Sequence, residues 1–311
     1  MRLHSFVLFI FTIGLILILA GLVFIRQEDV QTIINTHINP SKQTIVLGDT
    51  NEYYRPYDFN FVQNTNDFSP KNSQDLLNIY YTVINAGKDT FTFYCPTEYE
   101  ECLLDVQDLA NNQDMLSDIN NYVHPFNGFA HIATEYDSLG KVTINIEKTY
   151  TPDEIKLINE KVDNLTLQLF NENLSYVDNI RNIHDYIINN TKYDSARSDY
   201  GDETHKSDTA YGPLFEGYAI CGGYTDLMEL FFERMYIKSF KVSSDMHVWN
   251  AVQLDDKWYN LDLTWDDPVS DDGYDYLQHN YFLIDTDTLL AQEHEEHNFN
   301  IEYYSELKGA N

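Results

Sequence analysis

Between Asp75 and Ile84 the apolar residues Leu76, Leu77, Ile79, Tyr80 and Val83 share one helical face, which predicts a helix. Thr90–Tyr94 alternates and stops before Pro96, so it reads as a strand; Leu103–Tyr122 is amphipathic, and His124–Phe129 is a turn. Lys141–Lys148 alternates strictly and predicts a second strand. Thr151-Pro152-Asp153-Glu154 then opens a helix running to about Phe170, with a cap residue, a proline in the first turn and acids beside the positive dipole end. A further helix covers Tyr176–Asn189, with Val177, Ile180, Ile183, His184 and Ile187 on one face, where His184 reads as a core or supporting histidine. Tyr193–Thr209 is polar and predicts a surface loop. Leu227, Met228, Leu230, Phe231, Phe232 and Met235 give a helix with a buried face that begins near Cys221. His247–Pro268 reads as a β-hairpin turning at Asp255-Asp256.

The pattern breaks at the amino terminus. Ser5–Ile25 holds no charged residue, and as a helix it would span roughly 30 Å, the thickness of a bilayer's hydrocarbon core. No clean small-residue cleavage site follows Ala20-Gly21, so the run reads as a retained signal-anchor. Arg2 lies on one side, and Gln27, Glu28 and Asp29 follow Arg26 on the other, which favours residues 1–4 inside and the rest outside the cell membrane. Residues 26–70 read as a polar stalk and lead-in, 71–150 as a small α+β region whose role the sequence does not disclose, and 151–311 as the chemistry-bearing domain.

Composition narrows the partners. A chain of 311 residues with 43% hydrophobic residues has ample material for packed cores. Its net charge of −31 repels phosphate backbones and excludes nucleic-acid binding, and it suits cationic partners such as amines or a solvated acidic coat. Three cysteines are too few for a disulfide scaffold. Cys95 and Cys102 are close enough in sequence to pair outside the cytosol or to remain ordinary thiols; Cys221 stands alone.

A cysteine at a helix start faces the positive dipole end and free backbone N–H groups, which favours the thiolate. Gly217, Gly222 and Gly223 around Cys221 would let a substrate backbone come close. In the hairpin, a two-residue turn sets Trp249 opposite Asp262 and His247 opposite Thr264. Val248, Val252, Leu254, Tyr259, Leu261 and Leu263 then face the core. His247, Trp249, Trp258, Asn260, Asp262 and Thr264 share the other, polar face, where His247 and Asp262 are diagonal neighbours. Together they form a candidate triad: Cys221 as nucleophile, His247 as its acid–base partner, and Asp262 orienting the imidazole. Asn250 points to the core and reads as structural, and the Cys221 backbone N–H is a natural oxyanion donor.

Cys-x-Gly-Tyr at 221–224, His-x-Trp-Asn at 247–250 and Trp-Tyr-Asn-Leu-Asp-Leu-Thr-Trp-Asp-Asp-Pro at 258–268 resemble the bacterial transglutaminase-like superfamily, over about residues 170–290. The resemblance implies a papain-like α+β fold, with the cysteine helix packed on an antiparallel sheet that carries the histidine and aspartate. It also implies an upstream polar or aromatic group at the oxyanion site, for which Tyr211 is the candidate, and a groove lined by Gly222, Trp249 and Trp258. No cofactor and no metal are expected: the acids from Asp266 to Asp275 do not fit an EF-hand loop, and His294-Glu295-Glu296-His297 has the wrong spacing for a zinc helix. The expected activity is a thiol hydrolase or acyltransferase acting on peptide or glutamine amides through a thioester. Its expected partners are peptide or protein substrates, cell-wall peptides or an amine donor. The competing expectation is a non-catalytic binding or assembly module at the cell surface.

Overall fold

The computed structural model describes residues 45–269 and 276–308. The apolar run 5–25 lies outside the described residues, and among those described no helix is long and apolar enough to cross a membrane. Helices alternate with antiparallel sheets, so the fold is mixed α+β.

The N-terminal half is built from α1 (Ser73–Asn85), β1 (Thr90–Tyr94), α2 (Cys102–Asn111), α3 (Gln113–Asn120), β2 (Phe129–Tyr136) and β3 (Lys141–Lys148). The amphipathic stretch expected as one unit is two helices. Asn112 leaves helical geometry at φ −94°, ψ 87°, and its side chain then caps α3 by accepting from the Met115 N–H. Strand β2 carries little apolar signal because it lies at a sheet edge, paired only with the central β3. Cys95 and Cys102 are joined as a disulfide, with Cα atoms 5.7 Å apart. The lead-in is no stalk over its last part: Phe59, Phe61, Val62 and Phe68 are buried. Their aromatic side chains have neither helical nor strand spacing, so no periodicity revealed them.

After β3 come α4 (Pro152–Leu169), α5 (Tyr176–Asn190), the short β4 (Lys192–Tyr193), α6 (Ser195–Tyr200), β5 (Tyr218–Ala219) and α7 (Cys221–Arg234). The Thr151 hydroxyl and Glu154 carboxylate close a full capping box on α4. Strands β6 (Ser239–Ser243), β7 (Val248–Leu254) and β8 (Lys257–Leu261) form a second antiparallel sheet with β7 in the centre, followed by α8 (Leu263–Asp266) and α9 (Thr286–Leu290).

That sheet is the wall between two cores. Val252 and Leu261 face the core shared with α4, α5 and α7, while Phe240, Val242, Trp249, Ala251 and Trp258 face the core built by the N-terminal half. The hairpin therefore has no polar, open face. Trp249 and Trp258, expected to line a groove, are 1% and 6% exposed, and the Trp249 Nε1–H donates to the buried Asn260 Oδ1 at 2.9 Å. The sequence pattern shows two strands, but β6 extends the sheet at its β7 edge and the N-terminal core packs on the second face.

Arg55 links the lead-in to α7: its guanidinium meets the fully buried Glu229 carboxylate at 2.5 Å and donates to the Ser239 carbonyl at 3.3 Å. Arg55→Met leaves that carboxylate buried without its counter-ion and is expected to destabilise the fold by about 3–5 kcal/mol. The Arg55→Met/Glu229→Gln double variant regains a large part of the loss in urea unfolding; a double variant as unstable as the single one contradicts the assignment.

Candidate active site

Helix α7 starts without a side-chain cap. Ile220, at its N-cap position, is extended at φ −103°, ψ −178° and offers no hydrogen-bonding group. The β4–β5 pairing (Lys192 with Tyr218, Tyr193 with Ala219) and the Ile220 N–H bond to the Ser207 carbonyl at 2.8 Å fix the approach to Cys221. The glycines here serve the chain itself. A Cβ on Gly222 would stand 2.8 Å from the Asp208 carbonyl oxygen, and one on Gly223 would stand 2.3 Å from that of Ser207. So the 207–209 loop, not a substrate backbone, occupies the space beside Gly222. Gly217 adopts φ +75°, which favours glycine for its own reason.

The hairpin turns at Asp255 and Asp256, both left-handed at φ 48° and 62°, as a two-residue type I′ connection requires. Pairing runs from Leu254–Lys257 to Asn250–Leu261, so His247 and Asp262 flank the open end of the ribbon. The chain leaves the sheet at Asp262 and coils into α8, so Leu263 and Thr264 are not strand residues as expected. His247 Nε2 lies 2.6 Å from Asp262 Oδ2, with both residues buried. The even turn length brings the pair together.

Asp262 is engaged on all sides. Its Oδ1 accepts from the Trp265 N–H at 3.2 Å, capping α8, while Oδ2 also lies 2.9 Å from His297 Nε2. His297 is 1% exposed and packs on Trp249, Trp265 and Tyr281. Burial by itself would raise the Asp262 carboxyl; the His247 and His297 rings outweigh it and hold the group below the usual carboxylate range. For His247, burial opposes the charged form. The Asp262 carboxylate, helped by the Cys221 side chain, reverses this and pushes the imidazole up to about 10. Cys221 is half-buried at the tip of α7 and, with the other two cysteines bonded, is the one free cysteine. With Nε2 committed to Asp262, Nδ1 of His247 is the ring nitrogen left for the sulfur.

Asn250 is structural: its amide donates to the Thr225 carbonyl and to Glu229 Oε1, both at 3.1 Å, and so ties β7 to α7. Tyr211 stands at the N-cap of a π-helical turn, Gly212–Glu216, with its ring against Phe215 and under the Lys206 ammonium. Tyr193 lies on β4, beside the approach to Cys221. Burial chiefly raises its phenol, the Ser198 hydroxyl lowers it, and Cys221 adds to the rise. The sequence tied neither Tyr193 nor His297 to this site: the first begins a stretch expected to be a polar loop, and the second, weighed only against a zinc helix, lies 35 residues beyond the carboxylate it touches.

No family model and no curated protein matches the chain. Among solved structures it is similar to a chain described as a TGase, at 16% identity and TM-score 0.31, over 44% of this chain and 45% of that one. It is also similar to a candidate cysteine protease from Cytophaga hutchinsonii, at 15% identity and TM-score 0.28, over 43% of this chain and 61% of that one. The chain thus spans under two thirds of either. The chemistry of the site rests on its own geometry.

A histidine whose folded pKa exceeds the unfolded 6.5 stabilises the fold fully below that pH and loses the contribution as pH climbs through about 10. The gap in thermal unfolding temperature between the wild-type chain and His247→Gln therefore narrows from pH 6.5 to 10. A gap that is constant or widens over that range contradicts the ion pair. His297 is a positioning residue that shares the Asp262 charge. His297→Ala directs that charge to His247 and moves its imidazole titration upward in NMR, whereas His297→Gln, which keeps a donor, restores it; an unmoved titration in His297→Ala contradicts the role.

Proposed function

We propose that the chain is a thiol enzyme of transglutaminase-like type, attacking peptide or glutamine amide carbonyls from Cys221. The observation that carries this reading is an imidazole locked to a buried carboxylate at 2.6 Å with a free cysteine beside it at a helix tip. An imidazolium next to a thiol at the positive end of a helix favours the thiolate.

The sulfur of Cys221 bonds to the amide carbon, and the carbonyl electrons move to oxygen. The uncapped first turn of α7 offers backbone N–H groups to that oxyanion, because the hydrocarbon side chain of Ile220 cannot accept from them. Collapse breaks the C–N bond, and His247 gives its proton to the departing amine. The neutral imidazole then takes a proton from water or a primary amine as either attacks the thioester, and the thiolate leaves. Water yields hydrolysis; an amine yields a cross-link. Throughout, Asp262 keeps Nε2 engaged and Nδ1 aimed at the chemistry.

The reading includes a membrane-tethered, outward-facing site acting on cell-surface or cell-wall peptides. Its supports are the uncharged Ser5–Ile25 run and the Cys95–Cys102 disulfide, a bond that persists in oxidising compartments.

The test is incubation with a peptide library and a labelled primary amine, read by mass spectrometry for cleavage, deamidation or amine incorporation. Activity is expected in the wild-type chain, with a loss of about 10³-fold or more in Cys221→Ala and His247→Ala. Iodoacetamide should modify Cys221 alone at neutral pH, more slowly in His247→Ala. If Cys221→Ala retains the full biological activity of the chain, the site is a binding module and the enzymatic reading is wrong.

A further inference from the structure

We propose that His184, Asp185 and His279 form a binding site for a transition-type divalent cation, zinc above all, behind the segment that holds Asp262. This goes beyond the thiol chemistry and uses none of its residues. His184 and Asp185 are consecutive on α5, and His279 lies on the chain returning after α8. His279 Nε2 stands 2.7 Å from Asp185 Oδ1, and His184 Nδ1 stands 2.9 Å from the same oxygen. All three donor atoms lie within 4.8 Å of one another.

The state of His184 makes the case. It is fully buried, and its other nitrogen, Nε2, lies 3.2 Å from Oδ2 of the equally buried Asp266. A neutral imidazole carries one N–H. If that proton serves Asp266, the Nδ1 lone pair points at a carboxylate oxygen, and two electron pairs face each other at 2.9 Å. Something positive belongs between them: a second proton or a metal ion. The second histidine aimed at the same oxygen favours the metal, because one proton serves one contact and an ion serves all three.

Zinc holds nitrogen and oxygen donors at about 2.0–2.2 Å in a tetrahedron, which separates the donors by roughly 3.4 Å. The two contacts to Asp185 reach that spacing by opening by well under one ångström on this scale. Two imidazoles and one carboxylate suit zinc and its neighbours rather than the all-oxygen preferences of calcium and magnesium. Asp266 supplies the outer carboxylate that metal-bound histidines characteristically keep, and it is itself fixed by the Tyr281 N–H at 3.0 Å. The two rings stack at 5.1 Å, and Phe282 stands edge-on to both. Asp185 and His279 are each 31% exposed, so the fourth position opens to solvent. The net charge of −31 draws cations towards the surface. Sequence spacing hides the set, since Asp185 and His279 are 94 residues apart.

The ion would clamp α5 to the 278–282 segment, whose Tyr281 carbonyl accepts the Asp262 N–H at 3.2 Å. It thereby braces the backbone that presents the triad's carboxylate.

The experiment uses the full chain in a Cys221→Ala background, so that no thiol beside His247, Asp262 and His297 competes for metal. After chelator stripping, equilibrium dialysis against Zn²⁺ with elemental analysis should give one ion per chain, and Co²⁺ should give the visible absorption of a tetrahedral site. His279→Ala and the near-isosteric Asp185→Asn should each weaken binding at least about 10-fold, and Asp266→Asn about 10–100-fold. Circular dichroism shows that the variants are folded. No stoichiometric uptake overturns the proposal. Uptake unchanged by His279→Ala and Asp185→Asn, or abolished by His297→Ala instead, also overturns it. Because Cys221 is absent, none of these outcomes bears on the thiol reaction.

Discussion

The buried Glu229 carboxylate is the constraint on which the rest of the structure depends. It sits two turns into α7 with no exposure, and it is tolerable there only because Arg55 from the lead-in and Asn250 from β7 converge on it. A second carboxylate on the same helix, Asp226, is held by the Tyr150 hydroxyl at 2.7 Å and the Lys241 ammonium at 2.9 Å. Apolar packing alone would let α7 slide along the sheet by fractions of a turn, because hydrophobic contact is non-directional. These ion pairs and hydrogen bonds accept one registration. Since Cys221 opens α7 and His247 immediately precedes β7, that registration sets where sulfur meets ring.

The same logic explains Asp262. A carboxylate with a single imidazole partner could rotate about its side-chain bonds and lose the geometry. Here the Trp265 N–H takes one oxygen, and His247 and His297 converge on the other. The result is a fixed charge in a dry setting, the condition under which an imidazole beside it stays protonated well above its ordinary range. Fixation by several donors, not proximity alone, distinguishes this aspartate from the many acids on the surface.

How much was legible in the sequence follows from the range of the interactions. The pairing of His247 with Asp262 was legible because it depends on local facts: a two-residue Asp-Asp turn and the parity of strand positions. Cys221 at a helix start and the Thr151–Glu154 cap were equally local. The burial of Trp249 and Trp258 was not, because it depends on β6 and on a core assembled from residues as distant as Phe59 and Tyr304. His297 and His279 escaped for the same reason. Each reaches its carboxylate partner across tens of residues, with no periodicity to mark it. The helix spanning Leu103–Tyr122 failed on a subtler point: amphipathic spacing continues through Asn112, but an asparagine that caps a new helix interrupts the hydrogen-bond ladder without disturbing the apolar stripe.

Sharing one sheet between two cores has a consequence for how the site can respond. Trp249 lies on β7, two residues after His247, and its ring stacks at 5.7 Å from the imidazole while its indole N–H is held by the buried Asn260 of β8. Asn260 in turn bonds to Thr286 on α9 and pairs with Ile284. The face of the hairpin that carries Trp249 and Trp258 packs into the core built by the N-terminal half, so a displacement of that half reaches the strand beside His247 through buried groups, because close-packed interiors transmit strain. The N-terminal half is thus a backing plate for the hairpin. In this architecture the placing of Cys221, His247 and Asp262 draws on both cores and not on their own elements alone.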